Sequence, residues 1–421
     1  MTLDPARTVR ELKELRALTS DEHGAQRLCW TDTWLAARAW LRGLIEAVPG
    51  LEYELDEAGN AWATLRGASE RAVLIGGHID SVPNGGWLDG CLNLVAGLEV
   101  LRRVAAEAAA SGTPPPVTLR LVDWADEEGA RFGRSLLGSA AAAGQLSADA
   151  VRALTDRDGV TLAAALARCG VDVDRMHEAQ RQLATAAAYL ELHIEQGPVL
   201  ESLDLPLGAV LGTVGVERHA IRFTGQAAHS GSTPMDMRRD AFAGAAKLGL
   251  EIREIARRHG GVCTMGSVVT RPGIVTAVVG ECDVTLDQRN LDAGKLAAML
   301  ADAQSAAARF ATEERVEVAW TQTWSIPPIP FDEHLIALCD EAIREVAGGR
   351  SHRLPSGPLH DAASVAQAGI PTVMLFVQSL RGLSHNPAED TLEEHLELCA
   401  EALDRLTAKT VAWVAGGGGR A

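Results

Sequence analysis

Two patterns of apolar and polar residues alternate along the chain. Short apolar runs rich in β-forming residues occur at 72–77, 117–124 and 189–194, and each leads into or contains histidine or acidic residues. Each run is typical of a buried strand beside a polar loop. Residues 94–110, between the first two runs, are apolar at helical spacing. Strand, helix and strand in this order predict an α/β sheet with its polar loops at strand ends.

The second pattern begins near Gly215 and follows the order of a β-α-β-β-α-β unit. Strands are expected at 217–224, 267–279, 281–290 and 316–323, and helices at 239–259 and 296–313. The first pattern then returns, with a helix at 333–346, a strand at 372–377 and a closing helix at 393–414. We therefore predict a catalytic domain formed by 1–214 and 327–421, interrupted by an inserted domain at 215–326.

An alanine-rich segment at 140–188 also has helical character. It carries few residues with recognisable chemistry. We expect it to be a helical packing segment that supports the rest of the domain.

Length and composition favour a folded protein with more than one hydrophobic core. The chain has 421 residues, and single cores usually stop growing at about 250–300 residues. Its net charge of −17 should repel nucleic acids and anionic membranes, so neither is expected as a partner. An anionic substrate would then need a local arginine or a metal ion.

Cysteine usage indicates a reducing compartment. The seven cysteines are scattered, and no pair has C-x-x-C spacing. Free thiols are therefore expected, and a zinc ribbon is excluded. The first residues, Met1 to Pro5, include an acid and no apolar run typical of a signal peptide. We expect a cytoplasmic location.

Metal-binding residue types follow the first two strand-like runs. His78 and Asp80 follow one run and Asp89 lies in the glycine-rich loop behind them, while Glu127 and Glu128 close the other. Imidazole and carboxylate groups are typical ligands of zinc and manganese. Asp80 is placed to hold the ring of His78. Adjacent carboxylates repel each other unless a cation or proton separates them, so the spacing favours a metal site.

Two further histidines extend this set. His193 lies at the end of the third run, and His385 lies in a loop after the strand expected at 372–377. Either histidine alone fits a packed or loop histidine as well as a ligand. Three histidines and several acids at the ends of expected strands are hard to explain by packing.

Six motifs in a fixed order identify a family resemblance. They are Gly77–Gly86 with Asp89-Gly90, Asp126–Gly129 with Phe132, His193–Pro198, Ala228–Met235, Asp287–Arg289 and Ser384-His385. Between about Leu15 and Val414 the chain resembles the M20 metallopeptidase superfamily. Within it, the resemblance is to the amidase branch of N-carbamoyl-L-amino-acid hydrolases, β-ureidopropionases and allantoate amidohydrolases.

The resemblance implies a fold and a metal centre. The fold would be α/β, with a mixed-sheet, zinc-peptidase-like catalytic domain and an inserted α+β, ferredoxin-like domain that acts as a lid and forms a homodimer. Two divalent ions would be bound, with zinc, manganese, cobalt and nickel all left open. The residues implied are His78 and His193 for one ion, Glu128 and His385 for the other, Asp89 as the bridge and Glu127 as the general base.

The resemblance also implies substrate contacts. His229, in the inserted domain, would stabilise the oxyanion, reaching a partner subunit's site. Arg289 would bind the substrate carboxylate, and Gln196 is a candidate for the ureido or carboxylate end. Thr276 and Gly357 occupy positions that contact substrate in the family.

Departures from the family pattern lie around the substrate. Thr276 stands in the segment where the branch usually has asparagine, Pro358 and Leu359 replace Ala-Gly, and Gln378 replaces a proline. We expect the chemistry to be retained and the specificity to have moved. Trp87 either lines the side-chain pocket or covers the sheet edge.

The expected reaction is hydrolysis of an N-carbamoyl-L-amino acid to the amino acid, CO2 and NH3. Allantoate, β-ureidopropionate, N-acyl amino acids and dipeptides are rival substrates. A catalytically silent dimer that binds a small molecule is a remote alternative, because the complete ligand set and Glu127 favour an enzyme. Dinucleotide and P-loop enzymes are excluded, since no G-x-G-x-x-G opens a helix after the first strand and no G-x-x-x-x-G-K-[ST] occurs.

Overall fold

The computed structural model describes residues 2–420. They form two compact units, one running up to Leu211 and resuming at Phe331, the other spanning Gly212–Pro330. The domain limits that the sequence predicts, 1–214, 215–326 and 327–421, stay a prediction.

The strands and helices are labelled in chain order. The strands are β1 (Ser20–Asp21), β2 (Gly24–Ala25), β3 (Leu51–Leu55), β4 (Ala61–Leu65), β5 (Ala72–Gly77), β6 (Thr118–Asp123), β7 (Ala186–Ile194), β8 (Leu207–Thr213), β9 (Gly215–Thr224), β10 (Ala228–His229), β11 (Val262–Thr264), β12 (Val268–Arg271), β13 (Ala277–Val278), β14 (Glu281–Asn290), β15 (Glu317–Ile326), β16 (Ile329–Pro330), β17 (His352–Ser356) and β18 (Thr372–Val377). The α-helices are α1 (Pro5–Thr19), α2 (Asp32–Glu46), α3 (Cys91–Ser111), α4 (Leu137–Ala142), α5 (Ala148–Val151), α6 (Leu162–Arg168), α7 (Val199–Ser202), α8 (Ala241–His259), α9 (Ala293–Glu314), α10 (Glu333–Val346), α11 (Asp361–Gln367) and α12 (Glu393–Ala415). Short 3-10 segments cover Met176–Leu183, Met235–Met237 and Leu380–Gly382.

The first unit is built on a mixed sheet. Its strands run in the order β8-β18-β7-β5-β6-β4-β3, with β17 also paired to β8. The central pairs β18–β7, β7–β5 and β5–β6 are parallel, whereas β3, β4 and β8 pair antiparallel. The predicted α/β class with a mixed sheet is confirmed.

The parallel centre of this sheet explains where the polar loops meet. All residues of β5, β6, β7 and β18 are buried, as expected for strands covered on both faces. The helix α3 crosses from β5 to β6, and its Leu94, Leu98 and Leu101 are fully buried. Because parallel strands end at the same edge, the residues after β5, β6 and β18 and those at the end of β7 are brought together.

The second unit contains a five-stranded antiparallel sheet and two helices. Its order is β11-β14-β9-β15, and β12 also pairs with β14. Residues of β9 alternate, with Ile221 and Phe223 buried and Arg222 exposed. The buried side packs against apolar residues of α8 and α9, such as Leu248 and Met299. The elements β9, α8, β12, β14, α9 and β15 follow the predicted β-α-β-β-α-β order, and the short strands β10, β11 and β13 are additional.

The helical structure predicted across 140–188 is present only in short pieces. The segment contains only α4, α5, α6 and one 3-10 stretch, and its last residues belong to β7. Gly144 and Gly170 have φ angles of +74° and +80° shortly after α4 and α6. Glycines with positive φ commonly end helices. The glycines therefore interrupt a segment whose alanines favour a continuous helix. The single strand expected at 267–279 is also broken, into β12 and β13.

The cysteines agree with the free thiols that their spacing predicts. All seven are unpaired in the structure, and five of them are buried. Burial raises the pKa of the Cys339 thiol above its usual range. Separately, within residues 2–420, no helix combines the length and apolar character needed to span a membrane.

A buried carboxylate organises the turn between β3 and β4. Asp56 accepts hydrogen bonds from the backbone N–H groups of Ala58 and Asn60 at 2.9 Å, and from the Asn60 amide and the Trp62 indole at 2.9 Å. The Asn60 side-chain oxygen in turn accepts from the N–H of Ala125 at 3.0 Å. Ala125 begins the loop after β6, so this turn supports the segment that carries Glu127 and Glu128.

Replacing Asp56 by alanine is expected to lower the free energy of unfolding by about 3 kcal/mol, because several buried donors lose their acceptor. Denaturant unfolding followed by tryptophan fluorescence measures the effect. Asp149→Ala is the matched control, because its side chain is 95% exposed, and it should change stability by less than about 0.5 kcal/mol. Equal stability of both variants would contradict the role of Asp56.

Candidate active site

The sheet edge of the first unit gathers the histidines and acids that follow its strands. His78 lies directly after β5, Glu127 and Glu128 follow β6, and His193 is the second-to-last residue of β7. His385 lies in the loop between β18 and α12. These residues are far apart in sequence, and only the sheet order brings them to one place.

Five predicted ligands form two groups that share Asp89. His78, Asp89 and His193 offer ligand atoms that all lie within 4.8 Å of one another, and so do Asp89, Glu128 and His385. The Asp89 Oδ1 is 3.0 Å from His193 Nε2 and 3.9 Å from His78 Nε2. The Asp89 Oδ2 is 3.4 Å from His385 Nε2, which is 3.3 Å from Glu128 Oε2. Each oxygen of Asp89 therefore faces a different group.

Backbone carbonyls orient the two buried histidines. The Nδ1 of His78 donates to the carbonyl of Asp80 at 3.1 Å, and the Nδ1 of His193 donates to that of Ile194 at 2.8 Å. A carbonyl oxygen only accepts, so Nδ1 carries the proton in both rings. In the neutral rings each Nε2 then presents a lone pair toward Asp89.

This geometry fits a bound cation. A bare Nε2 and a carboxylate oxygen are both acceptors, and His193 Nε2 has no hydrogen-bond partner within the described residues although it lies 3.0 Å from Asp89. Burial disfavours the charged ring, but contact with Asp89 outweighs burial and raises the pKa of His193 to about 9. Without a metal ion, His193 therefore takes up a proton on Nε2, between the ring and Asp89. A metal ion suits the same position.

The pKa of His78 shifts in the opposite direction to that of His193. Burial dominates there and lowers its pKa to about 4, although Asp89 favours the charged form. His78 thus stays neutral, which is the form that binds a metal. The two rings lie with their centroids 6.0 Å apart.

Glu127 lies beside the first group. Its Oε2 is 3.7 Å from His78 Nε2, and the side chain is almost fully buried. Burial raises the pKa of Glu127 well above its usual range, and the charges of Asp361 and Glu128 raise it further. A cation nearby would lower the pKa of Glu127, so that the carboxylate is ionised and can accept a proton.

Asp80 contacts His78 in a different way from the one the sequence predicts. Its backbone carbonyl binds His78 Nδ1, whereas its carboxylate Oδ1 is 3.7 Å from that nitrogen. The carboxylate instead accepts from the N–H groups of Glu127 and Glu128, both at 3.3 Å. These backbone donors compete for the carboxylate, so Asp80 positions the acidic loop as well as the ring.

Gln196 lies against the shared aspartate. Its amide nitrogen donates to Asp89 Oδ2 at 3.0 Å and to Ser384 Oγ at 2.9 Å. Because a carboxylate only accepts, the amide nitrogen must be the atom that faces it. The other atom, Oε1, is buried and accepts no hydrogen bond from the residues described.

The loop before α11 carries Gly357 and a residue that the prediction missed. Gly357 is exposed, whereas His360 is 2% exposed and packs its ring 4.3 Å from that of His193. His360 Nε2 donates to Ser356 Oγ at 3.0 Å, and that hydroxyl donates to the carbonyl of Pro358 at 2.9 Å. The histidine lies in the Ser356–Asp361 motif, but its spacing does not indicate a contact with His193.

The sequence leaves the roles of Gln378 and Trp87 open, and the structure places both side chains in packed surroundings. Gln378 is 5% exposed, and its amide donates to the carbonyl of Leu205 at 3.1 Å. Trp87 is buried in the main core, with the guanidinium of Arg16 5.4 Å from its ring centroid. Both side chains therefore support the fold locally.

The remaining predicted contacts lie in the second unit. His229 and Thr276 are neighbours there, because β10 pairs with β13 and the N–H of Ser230 donates to the carbonyl of Thr276 at 2.9 Å. The N–H of Gly231 donates to His229 Nδ1 at 3.1 Å. Since Nδ1 accepts, a neutral His229 carries its proton on Nε2.

Arg289 lies near the end of β14. Its guanidinium pairs with Asp287 two residues earlier, through Nε at 2.8 Å and Nη2 at 3.2 Å. Asp287 also accepts from Arg218 at 2.7 Å, and these contacts hold its pKa below the usual value although burial opposes them. The pairing holds one edge of the Arg289 guanidinium in place.

Comparison with known proteins gives the same family as the sequence motifs. The N-carbamoyl-L-amino acid amidohydrolase of Geobacillus stearothermophilus is 35% identical over 383 residues, covering 90% of this chain and 92% of that protein. The allantoate amidohydrolase of Escherichia coli is 34% identical over 373 residues, covering 87% of this chain and 88% of that protein. A hydantoinase/carbamoylase family amidase from Burkholderia multivorans superposes with a TM-score of 0.86 at 32% identity, covering 97% of this chain and 98% of that one.

The family model described as peptidase family M20/M25/M40 matches residues 74–409. The matched region runs from β5 to α12 and includes every residue of the two groups around Asp89. This chain therefore belongs to peptidase family M20/M25/M40.

Proposed function

We propose that this protein hydrolyses the ureido group of an N-carbamoyl-L-amino acid, giving the amino acid, CO2 and NH3. Family membership and the amidohydrolase relatives make the chain an amide-hydrolysing enzyme. The observation that carries the proposal is the pair of metal-ligand groups sharing Asp89, with Glu127 beside them. This arrangement supports hydrolysis at two adjacent cations over a purely binding role.

The proposed ligands are divided between two ions. His78 and His193 would hold one, Glu128 and His385 the other, and Asp89 would contact both through its two oxygens. When bound, the ions supply Lewis acidity toward the carbonyl and make water easier to deprotonate at neutral pH. Zinc, manganese, cobalt and nickel all suit imidazole and carboxylate ligands.

Glu127 is the proposed general base. It takes a proton from the attacking water and returns it to the leaving nitrogen, so that one carbon–nitrogen bond breaks with a neutral amine leaving. The carbamic acid that remains then loses CO2, which frees the second nitrogen. The burial of Glu127 and the 3.7 Å distance between its Oε2 and His78 Nε2 support this role, because they place the carboxylate beside the proposed ligands. Asp80 keeps the backbone of Glu127 in place.

His229 is the proposed oxyanion donor. With Nδ1 occupied by the N–H of Gly231, the ring presents Nε2–H, which is the donor that a developing oxyanion requires. We also propose that the protein is a homodimer in which His229 acts at the active site of the partner subunit, as the family resemblance implies. A cytoplasmic location is proposed as well.

Arg289 and Gln196 are the proposed substrate contacts. A guanidinium binds a carboxylate through two parallel hydrogen bonds, which a protein of net charge −17 needs to capture an anion. Gln196 Oε1 is a buried acceptor without a partner among the described residues. An acceptor suits the N–H groups of a ureido end and repels a carboxylate, so we assign Gln196 to the ureido group. Thr276 and Gly357 remain proposed neighbours of the substrate.

Allantoate is the second candidate substrate. The allantoate amidohydrolase of Escherichia coli is 34% identical to this chain, almost as much as the 35% of the N-carbamoyl-L-amino acid amidohydrolase. Both substrates join a ureido group to a carboxylate, so the same contacts would serve. The departures from the family pattern at Thr276, Pro358, Leu359 and Gln378 leave this choice to experiment.

The proposal is tested by measuring ammonia release from chelated protein before and after reloading with Mn2+ or Zn2+. The substrates are N-carbamoyl-L- and D-amino acids, β-ureidopropionate and allantoate, with N-acetyl amino acids and dipeptides as controls. We expect release from N-carbamoyl-L-amino acids only after reloading. Release from allantoate alone would favour the second candidate. Cleavage confined to the acyl or peptidyl controls, which release no ammonia and are therefore followed by the free amino acid they yield, would overturn the ureido assignment.

Glu127→Gln is expected to lower kcat by a factor of about 10²–10⁴ while leaving the metal content unchanged, because the amide cannot accept the proton of water. Steady-state kinetics and elemental analysis of the same sample measure both quantities. Glu22→Gln is the matched control, since its side chain is 87% exposed, and it should behave as the parent enzyme. A Glu127→Gln variant with full turnover would exclude this residue as the base.

Arg289→Ala is expected to raise KM for carboxylate substrates about 10-fold or more, because a charge-assisted pair is lost. Circular dichroism and the melting temperature should change little. Arg222→Ala removes another arginine of the same sheet, 54% exposed, and should leave KM unchanged. An unaltered KM for Arg289→Ala would end the assignment of this side chain to the substrate carboxylate.

A further inference from the structure

Glu389 is a buried acid that the proposed reaction does not use. It lies four residues after His385 and is 2% exposed. A charged carboxylate is expensive to bury unless its oxygens accept hydrogen bonds. The hydrogen-bond partners of the Glu389 carboxylate therefore indicate its role.

One oxygen of Glu389 holds the backbone of the shared aspartate. Its Oε1 accepts from the N–H groups of Leu88 and Asp89, both at 3.1 Å. A β-carbon on Gly86 would overlap the Glu389 carboxyl, so the backbone of this loop approaches the acid more closely than any other residue type allows. These contacts join segments that are 300 residues apart.

The other oxygen holds the loop of His385. The Glu389 Oε2 lies 3.1 Å from Ser384 Oγ, and the same hydroxyl lies 3.0 Å from Asp89 Oδ2. Ser384 precedes His385 directly in the chain. The carboxylate is itself fixed in a turn, since the N–H of Glu389 donates to the carbonyl of Asn386 at 2.9 Å.

We propose that Glu389 is a positioning residue that sets the separation of the Asp89 and His385 side chains and thereby the binding of the ion held by Asp89, Glu128 and His385. The proposal rests on the two-metal site of the proposed function. His385 needs such support because it is 50% exposed and lies on a loop, whereas His78 and His193 are held by buried strands. Residues that orient metal ligands commonly change metal affinity 10–100-fold when removed.

The test compares metal binding by apo forms of the wild type, Glu389→Ala, Glu389→Asp and Glu389→Gln. Calorimetric titration with Mn2+ gives the number of ions and each affinity, and electron paramagnetic resonance reports whether two Mn2+ ions are spin-coupled. For the alanine and aspartate variants we expect the affinity for one ion, assigned to Asp89, Glu128 and His385, to fall at least about tenfold and the coupling to disappear. The affinity for the other ion should change by less than about threefold.

The Glu389→Gln variant tests whether the hydrogen bonds of Glu389 or its negative charge is needed for metal binding. Its amide oxygen still accepts from Leu88 and Asp89, and its amide nitrogen can donate to Ser384 Oγ, so two coupled ions should be retained. Asp390→Asn is the matched control on the neighbouring exposed residue and should behave as the wild type. A purely structural role would lower the melting temperature of the apo protein and leave the number of ions and their coupling unchanged.

A second variant covers the case in which Glu389→Ala does not fold. Ser384→Ala removes the hydroxyl between the two carboxylates and leaves the Glu389 contacts with the Asp89 loop in place. We expect the same selective weakening of one ion. Two coupled ions of unaltered affinity in both Ser384→Ala and Glu389→Asp would overturn the proposal. Fewer than two ions in the wild type would instead overturn the two-metal site of the proposed function.

Discussion

The mutual repulsion of buried carboxylates is the constraint around which the first unit is organised. Asp80, Asp89, Glu127 and Glu128 are crowded at one sheet edge, and burial together with neighbouring charges raises the pKa of Glu127 and Glu128. Protons or metal ions between the charges relieve this repulsion. The histidines that face Asp89 complete a ligand set for the second possibility.

The sheet and its supporting contacts make this crowding possible. Parallel strands deliver the ligands to one edge, and several polar contacts then hold the loops that carry them. The turn at Asp56 and Asn60 supports the acidic loop from below, while the Asp80 carboxylate binds its backbone N–H groups. Preorganised ligands lose less entropy on binding a metal, so these contacts outside the ligand groups also affect metal binding.

Chemistry and specificity are distributed over different parts of the chain. All proposed ligands and the proposed base lie in the first unit, whereas the proposed substrate contacts His229, Thr276 and Arg289 lie in the second. The departures from the family pattern also fall outside the two ligand groups. Such a division allows substrate choice to change while the hydrolytic centre stays constant, which accords with relatives of similar identity that carry the names of different amidohydrolases.

The sequence by itself determined the features that depend on local pattern. The strands β5, β6 and β18, the helices α3 and α10 and the order of the inserted unit follow from hydrophobic periodicity. The five ligands and Glu127 follow from residue type at strand ends and from six motifs, and the structure brings them together. The alanine-rich segment shows the limit of local reasoning, since helix propensity there was outweighed by glycines and by pairing within the sheet.

The tertiary structure alone decided the contacts made between distant segments. The Asp80 carbonyl rather than its carboxylate binds His78, His360 packs against His193, and Glu389 joins the Asp89 loop to that of His385. No periodicity marks these residues, because their partners lie up to 300 positions away in the chain. Local sequence specifies backbone conformation and burial, whereas the orientation of a buried polar group depends on which donors and acceptors the completed fold places beside it.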